Sequence, residues 1–213
     1  MEDESGQIYV VDDDPDVCKS ISLVLKSVGY RVTSFFTAEE LLSARIDSLP
    51  HCVIVDLLLP GMTGLKLCHD LSKNSTCGFI VITGNADVSS AVYAMKLGAI
   101  DYLEKPFSRQ RLLECVHETM RVVYSRHQAS QEETAALASL AELTPREIDV
   151  LTKMAAGLPT KTIASSCAIS TRTVDVHRSR ISKKLRIESP VQLAHFLAII
   201  NRVDGSRLKS VKA

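Results

Sequence analysis

The 213 residues carry no net charge, are 46% hydrophobic and 23% charged, and contain no Trp. That composition excludes a collagenous or disordered chain and leaves room for two aliphatic cores. The neutrality hides an asymmetry. Residues 1–122 hold 11 Lys and Arg against 17 Asp and Glu, whereas residues 141–213 hold 13 against 6. An acidic front and a basic back suggest two domains with separate tasks, the second facing a polyanion. The N-terminal Met1-Glu2-Asp3-Glu4 has no signal-peptide apolar core, and no apolar run is long enough to cross a bilayer. Cys18, Cys52, Cys68, Cys77, Cys115 and Cys167 form no C-x-x-C pair and no zinc spacing. A cytoplasmic protein with reduced thiols is expected, without a membrane partner.

In chain order, short apolar runs read as buried strands: Ile8–Val11, Val32–Phe36, Cys52–Val55, Phe79–Ile82 and Ile100–Leu103. Between them lie stretches with helical spacing. Val17, Ile21, Val24, Leu25 and Val28 end at Gly29; Val88, Val92, Met95 and Leu97 end at Gly98. Asp14-Pro15 reads as a helix cap followed by proline at the first helical position. Asp87 reads as another cap. Five strand–helix units imply a parallel sheet covered on both faces. From Leu112 to Leu140 the spacing is helical, and the polar, Ala-rich residues 125–139 read as a helical or flexible linker.

Residues 141–200 contain no strand pattern. Thr144-Pro145-Arg146-Glu147 is a capping box opening a helix, and Gly157 stops it. A short helix from about Thr160 to Ala168 follows, then a turn capped by Ser170. A longer basic helix spans Thr171 to about Arg186, and a last one Pro190 to about Asn201. Short helix, tight turn, longer basic helix is the helix-turn-helix layout.

Ligands of an open parallel sheet bind beyond the carboxyl ends of its strands. Asp12 and Asp13 follow the first strand and Asp56 the third, Thr83 ends the fourth, and Lys105 follows the fifth. All five therefore gather at one edge. Three clustered carboxylates need a cation to balance them, and an all-oxygen set suits Mg²⁺. A carboxylate there can act as a nucleophile toward phosphorus, with metal and Lys neutralising the phosphoryl oxygens.

Val11-Asp12-Asp13-Asp14, Asp56-Leu57-Leu58-Leu59-Pro60-Gly61, Thr83-Gly84 and Lys105-Pro106-Phe107 together resemble the receiver domain of bacterial response regulators. The resemblance covers roughly residues 6–122. It implies a flavodoxin-like α/β fold, a parallel five-stranded sheet of order 2-1-3-4-5. It implies Asp56 as phosphoacceptor, and Mg²⁺ (or Mn²⁺) held by Asp12, Asp13, Asp56 and the Leu58 carbonyl. Lys105 would bond the phosphoryl group, with Thr83 and Tyr102 as the switch pair. Asn85-Ala86-Asp87 departs from the His-Gly-Asp that many FixJ-type relatives carry.

Projection of residues 171–186 at about 100° per residue puts Val174, Ile181 and Leu185 on one side, with His177 at its margin. Arg172, Asp175, Val176, Ser179 and Lys183 fall on the other. A solvated helix face has this look too, but an exposed Val176 among short polar groups suits the major groove. The segment Leu143-Thr144-Pro145-Arg146-Glu147, with Ala156 to Ala164 and Ile169 to His177, is similar to the LuxR/FixJ-type helix-turn-helix, an all-α four-helix domain. The family implies that Asp175, Val176 and Ser179 face base edges and that Lys161, Thr173, His177 and Lys183 meet phosphates. His177 can equally be packed. Asp175 can accept from a cytosine amino group or simply lower non-specific affinity.

The domain expectation is a receiver at 1–122, a linker at 123–140 and a DNA-binding domain at 141–205. The implied function is a two-component response regulator. A sensor histidine kinase phosphorylates Asp56, the receiver homodimerises through the face around residues 87–121, and promoter DNA is bound in concert with RNA polymerase. Under this reading the chain is a phosphoryl acceptor, not an enzyme, with at most weak self-phosphorylation and self-dephosphorylation. A stand-alone phosphohydrolase would need a second acid/base that the sequence does not offer. A small-molecule sensor would need a roomy apolar pocket, and a redox role for Cys52 or Cys167 has no electropositive support.

Overall fold

The computed structural model describes residues 6–46, 49–74, 76–85 and 87–203. The tail lysines Lys209 and Lys212 lie outside these residues, as do residues 204–205 of the expected DNA-binding domain. The chain divides into two compact units, 1–128 and 129–213.

In the first unit, strands β1 (Gln7–Val11), β2 (Arg31–Phe35), β3 (His51–Asp56), β4 (Cys77–Thr83) and β5 (Asp101–Glu104) form a parallel sheet of order β2-β1-β3-β4-β5. The order is the one the receiver resemblance implies. Helices α1 (Pro15–Lys26), α2 (Ala38–Ser43), α3 (Gly64–Leu71), α4 (Val88–Lys96) and α5 (Arg109–Ala141) connect and follow the strands. Every residue of β3 and β4 is buried, as the unbroken apolar runs require of central parallel strands.

Alternate strand residues feed two cores. Val11, Val53, Val55, Phe79 and Val81 pack with Leu41 of α2, Leu67 and Leu71 of α3 and Ala94 of α4. Ile8, Val10, Ile54, Ile80 and Ile82 pack with Ile21 and Leu25 of α1 and Leu112 and Val116 of α5. Local chemistry starts the helices as the sequence suggests. Asp14 accepts from the Asp16 and Val17 amides, with Pro15 opening α1, and Asp87 caps α4 through the Ser90 amide. Gly64 has a different reason. A Cβ there would lie 2.0 Å from the Asp56 carbonyl oxygen, so only glycine lets α3 start against the end of β3.

In the second unit, α6 (Pro145–Ala155), α7 (Thr160–Ser166), α8 (Thr171–Leu185) and α9 (Pro190–Val203) surround a core of Val150, Leu151, Ile163, Val174, Ile181, Leu185, Phe196 and Ile200. The Thr144–Glu147 capping box is formed. Ala136 and Leu140, near the end of α5, belong to this core, with Leu137 packed against it. Residues 136–140 thus pack as part of the second unit, although their sequence shows no broad apolar face. Among the described residues, no helix is long and apolar enough to cross a membrane.

Candidate phosphoacceptor pocket and nucleic-acid interface

Parallel register sets the pocket. Val11 stands level with Val55, Asp56 with Ile82, and Thr83 with Glu104. The residues at the strand ends therefore share one edge. Asp12 is fully buried, Asp56 and Thr83 are buried, and Asp13 is exposed. One carboxylate oxygen from each of Asp12, Asp13 and Asp56 lies within 4.8 Å of the others. The Lys105 Nζ donates to Asp12 Oδ2 and Asp56 Oδ2, each at 2.6 Å. The second oxygens are held by backbone: Asp12 Oδ1 accepts from the Asp14 amide and Asp56 Oδ1 from the Leu58 amide, both at 3.0 Å.

Burial pushes the Asp12 carboxyl above its ordinary range, outweighing its hydrogen bond from Lys105. Burial works to lower Lys105, but its bonds to Asp12 and Asp56 prevail and hold the ammonium above its usual value. The pocket thus concentrates negative charge that one lysine only partly offsets. Its all-oxygen donor set fits a hard divalent cation, which takes carboxylates, carbonyls and waters.

Thr83 and Tyr102, the pair the resemblance implies as a switch, are placed differently. Thr83 Oγ1 accepts from the Asn85 amide at 3.2 Å. The Tyr102 hydroxyl is buried, with no hydrogen-bond partner among the described residues, and desolvation raises its pKa. The Leu58 side chain is 65% exposed, while its amide is the one tied to Asp56. Sequence reasoning missed Glu39, whose Oε1 accepts from the Met62 amide at 3.0 Å and so holds the loop after β3. An acid in the first turn of α2 looks ordinary in sequence, and only the fold brings it to that loop. All six cysteines are free and buried, and burial pushes Cys52 well above its ordinary pKa, away from the reactive thiolate.

The second unit presents α8. Ser170 caps it by accepting from the Thr173 amide. Val174, Ile181 and Leu185 are buried, which turns Arg172, Asp175, Val176, Ser179 and Lys183 outward. Val176 is 44% exposed. Thr173 is half-buried, its hydroxyl 2.8 Å from that of Ser170. His177 is half-buried, and its Nδ1 is buried without a partner among the described residues. Lys161 is exposed on α7. Arg178 of α8 donates to Thr160 Oγ1 at 3.0 Å, linking α8 to the start of α7. Lys184 pairs with buried Glu147 at 2.7 Å and donates to the Glu142 carbonyl at 3.1 Å, joining α8 to the entry of α6. This geometry is a helix-turn-helix with its basic helix exposed and anchored at both ends.

Residues 8–117 match the response regulator receiver domain family, and residues 141–197 match the bacterial regulatory proteins of the luxR family. The chain belongs to the two-component response regulators of the FixJ type. This response regulator is 36% identical over 193 residues to the transcriptional regulatory protein FixJ of Bradyrhizobium diazoefficiens, covering 88% of this chain and 92% of that one. It is 34% identical to the transcriptional regulatory protein TdiR of Thauera aromatica, over 91% of this chain and 86% of that one. Among solved structures, the response regulator StyR is similar with a TM-score of 0.81 and 34% identity, covering 91% of this chain and 98% of that one. Full-length FixJ from B. japonicum is similar with a TM-score of 0.57 and 34% identity, over 92% and 98%. The regulator is therefore a transcriptional response regulator, with an acidic receiver pocket and a LuxR-type DNA-binding domain.

Proposed function

We propose that Asp56 accepts a phosphoryl group from a sensor histidine kinase and that this modification controls promoter binding by the second unit. The observation that carries the reading is the convergence of Asp12, Asp13, Asp56 and Lys105 at one sheet edge, with Lys105 bridging two of the acids. An Asp56 carboxylate oxygen attacks the phosphorus of the kinase phosphohistidine. The new P–O bond forms as the P–N bond breaks, and the imidazole leaves with the electron pair. Lys105 gives up its bond to Asp56 and follows the phosphoryl oxygens. Asp12, Asp13, Asp56 and the Leu58 carbonyl would hold Mg²⁺ or Mn²⁺, which supplies charge neutralisation at those oxygens. Thr83 donates its hydroxyl to the phosphoryl group, and Tyr102 rearranges with it. Water removes the group slowly, so the chain is an acceptor rather than an enzyme.

Residues 1–122 act as receiver, and residues 141–205 bind DNA. Val88, Val92 and Met95 form an exposed apolar stripe on α4 at 81%, 47% and 48% exposure, with Tyr93 beside it at 51%. Ala94 and Val116 of the same region are buried in the core. An apolar stripe of this kind favours pairing of two phosphorylated copies. A dimer then sets two α8 helices on a two-fold promoter site and gains avidity for transcription by RNA polymerase. Asp175, Val176 and Ser179 face the bases, Arg172 joins them on the DNA-facing side of α8, and Lys161, Thr173, His177 and Lys183 serve the phosphates.

The test is site selection from random duplexes with and without acetyl phosphate and Mg²⁺, followed by affinity on the selected site. Phosphodonor should tighten binding to a two-fold or tandem site, and Asp56→Asn should abolish both phosphoryl incorporation and that gain. Equal binding in all cases would sink the switch.

A further inference from the structure

The exposed strip of α8 contains one acid amid bases. With about 100° per residue, Asp175, Ser179, Arg172, Lys183 and Val176 occupy a continuous band about 100° wide. Asp175 lies at one edge of it. Among the described residues Asp175 makes no ion pair and accepts no side-chain hydrogen bond. Its natural neutraliser one turn on, Arg178, turns away and donates to Thr160 at 3.0 Å. Two buried or half-buried acids of this unit are engaged by contrast: Glu147 with Lys184, and Asp149 with Arg146, Lys153 and the Cys167 thiol. The fold thus leaves a bare carboxylate on the face that the DNA-binding reading turns toward a polyanion. Such a group repels phosphate, and only a donor on a base edge compensates for it.

We infer that Asp175 reads a cytosine in each half-site, accepting a hydrogen bond from its N4 amino group in the major groove. Chemistry selects this base over the others. Guanine offers only the N7 and O6 acceptors in the major groove, and thymine offers O4 and a methyl, so both repel a carboxylate or leave it unpaired. Adenine has an N6 donor, but its N7 acceptor lies beside it and faces the second carboxylate oxygen. Cytosine alone presents a donor without an adjacent acceptor on its own edge. The helix that carries Asp175 is anchored for this task, because Val174 and Ile181 are buried on its far side and Arg178 and Lys184 tie α8 to α7 and α6. It therefore acts as a selector, adding a base requirement while lowering affinity for everything else.

This inference rests on the DNA-binding reading of α8, and its test separates the two. The full chain, treated with acetyl phosphate and Mg²⁺, selects duplexes from a random pool alongside Asp175→Asn and Asp175→Ala variants. The wild type is expected to demand C at one position per half-site. Asp175→Asn should move that position to A, since an amide pairs with N6 and N7 together. Asp175→Ala should lose preference there alone, by roughly tenfold or more, while binding non-specific DNA more tightly. An unchanged site for both variants, with only uniformly tighter binding, overturns the inference and leaves Asp175 as an electrostatic brake. A wild type that selects no sequence at all overturns the DNA-binding reading beneath it.

Discussion

Lys105 is the residue on which the acidic pocket depends. It holds two carboxylates of one site at 2.6 Å each. Without it Asp12 and Asp56 face each other with no protein cation between them. Lys105→Met should lower the stability of the metal-free protein by less than the roughly 3–5 kcal/mol of a fully buried pair, because the lysine side chain is 20% exposed. Mg²⁺ should restore more of the melting temperature in this variant than in the wild type, since an ion that binds only the folded state stabilises it by mass action. Thermal melts with and without Mg²⁺ check both. Asp13→Asn should weaken the Mg²⁺-induced rise, with little change in the metal-free melt, because Asp13 is exposed.

Glu147 offers a pH test at the same scale. The hydrogen bond from Lys184, together with the Thr144 amide and hydroxyl, holds its carboxyl at about 2 despite burial. A carboxyl depressed in the folded state contributes stability that is present above its ordinary pKa of 4.5 and lost as pH falls toward 2. The second unit of the wild type should therefore destabilise across that window. Glu147→Gln should remove this part of the pH dependence and lower stability at neutral pH, as followed by helical signal during denaturation. An unchanged acid limb in Glu147→Gln would contradict the assignment.

At the scale of elements, the join between β3 and α3 is set by contact distance. Gly64→Ala would bring a Cβ to 2.0 Å from the Asp56 carbonyl, a backbone atom that cannot step aside. The variant should lose about 3 kcal/mol in urea denaturation and should also slow phosphoryl transfer, because the displaced backbone carries Asp56. For α8, the exposed bases act as counter-ions. Lys183→Ala should weaken DNA binding evenly across sequences and reduce the salt slope by about one, in contrast to the position-specific effects expected at Asp175. The polar strip of α8 and its buried Val174, Ile181 and Leu185 were legible from helical projection alone. The Arg178–Thr160 tie was not, because it joins residues eighteen apart through a turn whose geometry the pattern does not encode.

At the scale of the whole molecule, phosphorylation is expected to act through association. The apolar stripe of Val88, Val92 and Met95 on α4 is exposed in the single chain. Phosphodonor should raise the dimer fraction in sedimentation. Val92→Asp should abolish that rise while leaving phosphoryl incorporation at Asp56 intact. Loss of both together would point to a folding defect instead. The two-core organisation of the first unit was readable from unbroken apolar strand runs separated by helical stretches. The packing of Ala136 and Leu140 into the second unit was not, because three apolar positions in an Ala-rich, polar stretch show no stripe until a partner surface is in place.

The sequence by itself determined what nearest neighbours and periodicity control. Strand runs, the caps at Asp14, Asp87, Thr144 and Ser170, and the placement of acids just beyond strand ends all follow from patterns a few residues long. In a parallel sheet such patterns also settle which residues share an edge. Tertiary structure decided how those groups meet. Lys105 reaches across 93 and 49 positions of chain to Asp12 and Asp56, Glu39 closes on Met62, and Arg178 turns to Thr160, leaving Asp175 bare. Contacts between residues far apart in sequence depend on the register and spacing of packed elements, and no local pattern carries that information.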